Sequence, residues 1–153
     1  MSTKIFVTVG STYPLNRLIK EIDKIGENKS YEIFAQIGES DLILKNIAFK
    51  KFLTYMEMQS KMKWADLIIS HAGAGSIIEL LVLGKPFILF PRLKKFGEAV
   101  DDHQVEICKA FEKKYNIKYT TEQTKLLDLI KNKKANSKIK KNSKLLEEIK
   151  KII

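Results

Sequence analysis

Residues 65–76 read ADLIISHAGAGS, and this stretch decides the fold. A run of apolar and β-branched residues at 66–71 is typical of a buried strand. Small residues follow at 72–75. Residues 76–83 then have the apolar pattern of a helix, and Gly84 is a residue that commonly ends one. The segment therefore predicts a strand, a glycine-rich loop and a helix.

The same alternation extends in both directions along the chain. Further strands are predicted at residues 4–9, 31–37, 47–53, 87–90 and 117–119, and further helices at 15–25, 55–64 and about 103–114. Strands that alternate with helices predict a parallel sheet covered on both faces. We therefore expect one α/β domain over residues 1–153, a Rossmann-like doubly wound parallel sheet, with a lysine-rich helical tail from about residue 122.

Length and composition limit the possible classes. A chain of 153 residues, 44% of them hydrophobic, suits a single domain. Its one cysteine, Cys108, excludes an internal disulfide framework, and two histidines are too few for a structural zinc cluster. No bound metal is expected. Because the first predicted strand begins just after Met1, without a signal-like segment, we expect a cytoplasmic location.

The charge is strongly positive and favours an anionic partner. Lysine plus arginine number 28 against 18 acidic residues, a formal net charge of +10. Part of this excess lies in the tail, at Lys131, Lys133, Lys134, Lys138, Lys140, Lys141 and Lys144. A solvated helix face explains such a run, and docking on an anionic membrane is the alternative, at about 1 kcal/mol per basic residue. Nucleic acid is not expected, because stacking aromatics are missing.

Two loops of small residues point to a ligand site at one edge of the predicted sheet. Residues 10–12 and 71–76 both follow strands, and ligands of open parallel sheets bind outside the carboxyl ends of the strands. Glycine amides and a helix N-terminus suit a phosphate group. Glu79 lies three residues after Ser76, where a carboxylate can accept hydrogen bonds from ribose hydroxyls.

Each of these features also has a purely structural interpretation. The glycines are compatible with a tight turn, and Ser76 with Glu79 matches a capping box. His71 could be a hydrogen-bonded structural histidine, and His103 and Gln104 could simply begin a helix. A triphosphatase or NAD enzyme is disfavoured, because no Walker lysine and no Gly-x-Gly-x-x-Gly spacing is found. No nucleophile elbow or Cys/His pair suggests covalent catalysis.

Several motifs occur together in a fixed order. They lie at residues 5–12, 65–76, 79, 84–86, 91 and 102–104. In this order they resemble the carboxyl-terminal, donor-binding half of the family 28 glycosyltransferases, over roughly the first 120 residues. The chain length is similar to that of the free-standing donor-binding subunits of bipartite enzymes in the dolichol pathway and in bacterial polysaccharide synthesis. The resemblance implies one half of a GT-B transferase.

The resemblance also implies roles for individual residues. The diphosphate of a UDP-sugar would be bound by Ser11, Thr12, His71, Gly73, Gly75 and Ser76. Glu79 would bind the ribose, and Asp102, His103 and Gln104 would bind the sugar hydroxyls. Members of the family invert the anomeric centre and need no cofactor or essential metal, since the helix end and the loop amides stabilise the leaving diphosphate.

One half of a GT-B enzyme implies a partner. No convincing general base is found in the sequence, so the base is expected from a membrane-anchored acceptor-binding subunit, which would hold this chain at the cytoplasmic membrane face. The leading hypothesis is transfer of a hexose or N-acetylhexosamine from a UDP-sugar donor to a lipid-linked acceptor, a polyprenyl-diphosphate saccharide. The alternatives are a self-sufficient homodimer and a non-catalytic regulatory or binding subunit.

Overall fold

A five-stranded parallel sheet organises the chain. The computed structural model describes residues 2–132 and 143–153. The strands are β1 (Thr3–Thr8), β2 (Tyr31–Gln36), β3 (Ala48–Lys50), β4 (Leu67–Ser70) and β5 (Phe87–Leu89). They lie in the order β3-β2-β1-β4-β5, and every neighbouring pair is parallel. This is the order of a doubly wound sheet, which reverses direction between β1 and β4.

Helices connect the strands and cover the sheet. They are α1 (Asn16–Ile25), α2 (Tyr55–Trp64), α3 (Ala74–Leu83), α4 (His103–Tyr115), α5 (Leu126–Lys131) and α6 (Ser143–Ile152). Short 3-10 turns lie at Lys94–Phe96 and Gln123–Lys125. Within the described residues, no helix is long and apolar enough to cross a membrane.

Alternate residues of β1, β2, β4 and β5 pack into two separate cores, whereas the three residues of the edge strand β3 are exposed. On β1, Ile5 and Val7 belong to one core, which α1 and α5 cover. Phe6 belongs to the other, which contains buried residues of α2, α3, α4 and α6. Burial of each such side chain contributes about 1.5–3 kcal/mol. Because both faces of the sheet are covered, the predicted doubly wound α/β fold is confirmed.

The predicted strands and helices are found, with a few differences at their ends. The segment at 117–119 forms only one isolated bridge, between Leu89 and Tyr119. The helix predicted from residue 76 begins at Ala74, with Gly73 as its N-cap, so the capping box of Ser76 and Glu79 is absent and that interpretation is wrong. A capping box does occur on α2, between Thr54 and Glu57.

The positions of some individual side chains complete the description of the fold. Cys108 is a buried residue of α4, and burial raises the pKa of its thiol. The methionines of α2 differ in exposure: Met62 is buried, whereas Met56 is 80% exposed. The lysines at 133, 134, 138, 140 and 141 lie outside the described residues, while Lys131 and Lys144 are exposed.

The buried side-chain amide of Gln36, on β2, forms hydrogen bonds to the end of β1 and to the chain after β3. Its Oε1 accepts hydrogen bonds from Thr8 Oγ1 at 2.7 Å and from the Val9 amide at 3.1 Å. Its Nε2 donates to the carbonyl oxygens of Gly10 at 3.0 Å and Lys51 at 2.9 Å. One side chain therefore fixes the end of β1 and the chain that follows β3.

Replacement of Gln36 by Met should lower the free energy of unfolding by about 2–4 kcal/mol, because the variant keeps the volume but leaves buried backbone groups unsatisfied. Urea unfolding measures the change. Gln59→Met on α2 is the matched control, since the structure shows no hydrogen bond of the Gln59 side chain and we expect a change within about 0.5 kcal/mol there. Equal losses in both variants would contradict the role given to Gln36.

Candidate functional site

The loops after β1 and β4 pack against each other through the ring of His71. A Cβ atom added to Gly10 would lie 2.7 Å from Nε2 of that ring, and one added to Gly73 would lie even closer to Cε1. Gly10 also has a φ of 73°, in the left-handed region that other residues avoid. Glycine is therefore required at both positions for the imidazole to fit between the loops.

Burial keeps this imidazole uncharged. His71 is 9% exposed, and its Nδ1 has no hydrogen-bond partner among the described residues. Its Nε2 lies 3.3 Å from Ser76 Oγ. Burial, followed by the nearby charge of Arg92, lowers the pKa of His71 to about 4. The ring therefore acts at neutral pH as a neutral spacer that also contacts the first turn of α3.

The N-terminus of α3 presents free amides to an open space. No side chain caps this helix, and its first turn closes with the Ile77 amide donating to the Gly73 carbonyl at 3.0 Å. The amides of Ala74, Gly75 and Ser76 precede that bond and have no helical acceptor. Apart from Gly75 itself, its two neighbours and the backbone of α3, no atom of the described residues lies within 4 Å of a Cβ placed on Gly75. The arrangement can hold an anionic group against the helix dipole.

Gln104, at the start of α4, links this helix to the loop after β4. Gln104 Oε1 accepts hydrogen bonds from the Ala72 amide at 3.2 Å and the Arg92 amide at 3.0 Å. Asp102 Oδ1 accepts from the Lys94 amide at 2.9 Å, and the exposed His103 ring lies 3.6 Å from Glu106. Of the three predicted sugar-binding residues, Gln104 is thus the one whose side chain bonds to the loop after β4 as well as to the chain after β5.

The predicted diphosphate-binding residues gather at the carboxyl ends of β1 and β4. His71 contacts Ser76 and closely approaches Gly73. Ser11 and Thr12 are exposed on the neighbouring loop. Glu79 is also exposed and lies on α3, three residues beyond Ser76 and four beyond Gly75, so the three share one helix face. The ligands assigned to these residues, and to those on α4, remain predictions.

Four polar residues behind the loops were missed by sequence reasoning: Arg17, Gln36, Arg92 and Glu98. Arg17 and Glu98 form a bidentate ion pair with distances of 3.1 and 2.9 Å. Among the described residues, no three His, Cys, Asp or Glu side chains form a group suited to a metal ion. A local signal was available for Gln36, a polar residue near the end of the buried strand predicted at 31–37.

The strand order, with its reversal between β1 and β4, and the helix that follows a glycine-rich loop define a Rossmann-like α/β domain. Residues 4–153 match the model of the glycosyltransferase family 28 C-terminal domain. The chain belongs to this family, as its resemblance predicted, and has the fold of one half of a GT-B glycosyltransferase.

Individual relatives are identical to the chain at about a third of the aligned residues. The human UDP-N-acetylglucosamine transferase subunit ALG13 is 30% identical over 131 residues, 76% of this chain and 11% of that protein. The UDP-N-acetylglucosamine--N-acetylmuramyl-(pentapeptide) pyrophosphoryl-undecaprenol N-acetylglucosamine transferase of Psychromonas ingrahamii is 33% identical over 69% of this chain and 31% of its own length. The chain thus spans less than a third of either relative.

Known structures share the fold at low sequence identity. The solution structure of ALG13 aligns with 97% of this chain and 94% of its own, with a TM-score of 0.65 and 20% identity. MurG of Acinetobacter baumannii aligns with 89% of this chain and 43% of its own, with a TM-score of 0.61 and 21% identity. Both similarities support the fold described above.

The buried imidazole should make stability depend on pH. Because the pKa of His71 falls from its ordinary 6.5 to about 4 in the fold, the unfolded chain binds the extra proton between these values. The stabilisation is complete above pH 6.5 and is lost as the pH falls towards 4, by up to about 3 kcal/mol. The difference in free energy of unfolding between pH 7 and pH 4.5 should therefore be smaller in His71→Gln than in the wild type.

His103→Gln is the control for this measurement, because that ring is exposed and removing it should leave the pH dependence of the wild type intact. A His71→Gln variant with the same loss of stability between pH 7 and pH 4.5 as the wild type would show that His71 is protonated in the folded protein.

Proposed function

We propose that this chain is the donor-binding part of an inverting glycosyltransferase, and that it binds the diphosphate of a UDP-sugar between the loops after β1 and β4. The transferred group would be a hexose or N-acetylhexosamine, and the acceptor a polyprenyl-diphosphate-linked saccharide. Family membership supports transfer from a nucleotide sugar, since both relatives described above are named as N-acetylglucosamine transferases.

The observation that carries this proposal is the open space in front of Gly75. The amides at the start of α3 face an anion without competition from a capping side chain, and the glycine leaves room for direct approach. The carboxylate of Glu79 lies one turn further along the same helix. A ribose bonded to Glu79 would keep the attached diphosphate near the helix end, a geometry that favours a nucleoside diphosphate over inorganic phosphate.

Exposed apolar side chains around the same edge support a partner that covers it. Nine large hydrophobic residues are exposed within the described residues. Seven of them lie on connections that follow the carboxyl ends of the strands: Tyr13, Ile43, Phe52, Tyr55, Met56, Phe96 and Val100. Such a concentration is typical of an interaction surface. The base of the donor and a second, acceptor-binding subunit would both bury part of it.

The partner would also explain how such a chain meets a lipid-linked acceptor. The human relative is named as a subunit of its transferase. An acceptor-binding subunit anchored in the membrane would hold this chain peripherally at the cytoplasmic face and contribute the general base. No cofactor enters this scheme, because the helix amides and the loop amides would stabilise the leaving diphosphate.

Gly75→Ala is the sharpest test of the donor site. The new methyl group would fill the space proposed for the diphosphate, so we expect UDP binding at least about tenfold weaker. The same change should leave stability unaltered or raise it by up to about 1 kcal/mol, because alanine favours a helix. Calorimetric titration with UDP at moderate salt, beside thermal unfolding, measures both effects.

Glu79→Gln completes this experiment, because it keeps the size of the side chain but removes the charge that would bind the ribose hydroxyls. The affinity for UDP should fall by about tenfold to a hundredfold. The affinity for inorganic pyrophosphate, which lacks a ribose, should change little. If the wild type does not bind UDP or a UDP-sugar at about 1 mM, the donor site is contradicted and the regulatory role becomes the better explanation.

The isolated chain should bind the donor without transferring its sugar. Since the general base and the acceptor site are assigned to a partner, release of UDP from UDP-N-acetylglucosamine, UDP-glucose or UDP-galactose should stay at the background rate when this chain and a polyprenyl-diphosphate saccharide are mixed. Release is measured by a coupled assay. Sustained turnover by the purified chain would instead support the self-sufficient homodimer, which size-exclusion chromatography would reveal.

A further inference from the structure

A buried arginine lies beneath the loop that follows β1. Arg92 is 1% exposed and is the largest fully buried side chain of the described residues. Its Nη2 donates to the Val9 carbonyl, and its Nη1 donates to the Pro14 carbonyl at 3.3 Å. The guanidinium therefore joins the two ends of the loop that carries Ser11 and Thr12. The donor site described above assigns no role to this residue.

Among the described residues, no carboxylate forms an ion pair with Arg92. The acid whose charge acts on Arg92 is Glu98, but its two oxygens pair with Arg17, and its Oε1 also accepts a hydrogen bond from the Leu93 amide at 3.0 Å. Arg92 Nε is buried without a hydrogen-bond partner among the described residues. Burial lowers the pKa of Arg92, and Glu98 opposes that shift from a distance. Two guanidinium groups and one carboxylate thus lie in this region, and together they carry a net charge of +1.

A buried cation without a contacting anion is unfavourable unless something else compensates for it. Most of the arginine side chain could be replaced by apolar groups if packing were its whole purpose. An anion bound on the other side of the loop would supply the missing compensation. The charge of Arg92 also helps to lower the pKa of His71, the ring that lies between the two loops.

The hydrogen bond to Val9 also determines which way the following amide points. In a trans peptide the C=O and N–H bonds point in opposite directions, and none of the described peptide bonds is cis. Because the Val9 carbonyl is directed at Arg92, the Gly10 N–H is directed away from it. This amide has no acceptor among the described residues. It is a free donor on the side of the loop opposite the guanidinium.

We propose that Arg92 is a positioning residue for the donor diphosphate, which turns the Gly10 amide towards the bound anion and adds a fixed positive charge behind the loop. This inference rests on the donor site proposed above and deepens it. Arg92 does not touch the ligand. It acts through the peptide between Val9 and Gly10, and through its field across the thin loop.

The test compares three charge variants that disturb the same buried cluster. Arg92→Met removes the charge and the bonds to the loop carbonyls. A unit charge acting over about 10 Å at an effective dielectric constant of about 20 changes affinity about tenfold, so UDP should bind about tenfold more weakly to this variant. Arg17→Met removes an equal charge but none of the hydrogen bonds to the loop carbonyls, so it should weaken UDP binding less than Arg92→Met does.

Glu98→Gln separates the proposal from a purely structural role. It breaks the ion pair with Arg17 and should destabilise the fold, yet it raises the net charge behind the loop. UDP affinity should therefore stay equal to that of the wild type or increase. Arg92→Lys keeps the charge but cannot reach both carbonyls, so affinity should be partly restored relative to Arg92→Met. Calorimetry with UDP and circular dichroism are run on every variant.

The amide of Gly10 provides an independent readout. In the wild type its proton and nitrogen resonances should shift on addition of UDP, and in Arg92→Met that shift should be much smaller at saturating UDP. A wild-type chain that fails to bind UDP contradicts the donor site itself. If the wild type binds UDP but Arg92→Met and Arg17→Met lose the same amount of UDP affinity, only the role of Arg92 is overturned. If Arg92→Met does not fold, that role is overturned when Glu98→Gln binds UDP more weakly than the wild type does.

Discussion

The residues just after the carboxyl ends of the strands have buried backbone N–H and C=O groups but no neighbouring strand to pair with. Such groups need hydrogen-bond partners from elsewhere. Two glutamine side chains supply them here. Gln36 bonds to the chain at Val9, Gly10 and Lys51, and Gln104 accepts from Ala72 and Arg92. Because a primary amide both donates and accepts, each can join segments that β-pairing cannot. The loops are thereby held in one arrangement by the protein itself, before any ligand is present.

This rigidity determines the electrostatic character of the site. With the loops fixed, His71 is confined between Gly10 and Gly73 and stays neutral, since burial lowers the pKa of its ring to about 4. The positive potential at this edge then comes from helix amides and from a guanidinium, and neither group changes protonation near neutral pH. A site built from such groups keeps the same affinity for an anion across the physiological pH range, which a protonated histidine would not.

The sequence was informative about the fold because the apolar periodicities are local and strong. The strands that end at Gln36 and Ser70, and the helix after Gly73, follow from runs of apolar residues and their glycine boundaries. The parallel direction of the strands follows from their alternation with helices, whereas the order of the strands was not predicted. Helix starts were less certain, since the extended conformation of Gly73 placed the N-cap before the serine that a capping box requires.

The site was only partly predictable, for a physical reason. Residues on a single loop, such as His71 and Ser76, could be grouped from sequence alone. The buried polar groups that support them are distant along the chain: Arg92 reaches Val9 and Pro14, and Arg17 reaches Glu98. Such contacts exist only once the sheet brings three loops together. Nothing in the local pattern around residue 92 distinguishes a buried arginine from an exposed one.

The direction from which the acceptor hydroxyl attacks explains why one domain is sufficient to stabilise the leaving diphosphate but not to deprotonate the acceptor. In the inverting transfer proposed here, the leaving diphosphate lies against α3, and the acceptor hydroxyl must approach the anomeric carbon from the opposite side. The charge that develops on the diphosphate is stabilised by donors belonging to this domain. The proton of the attacking hydroxyl is released on the side facing away from it. A general base must be within hydrogen-bond reach of that hydroxyl, and therefore belongs to whatever covers the apolar edge formed by residues such as Tyr13 and Phe96.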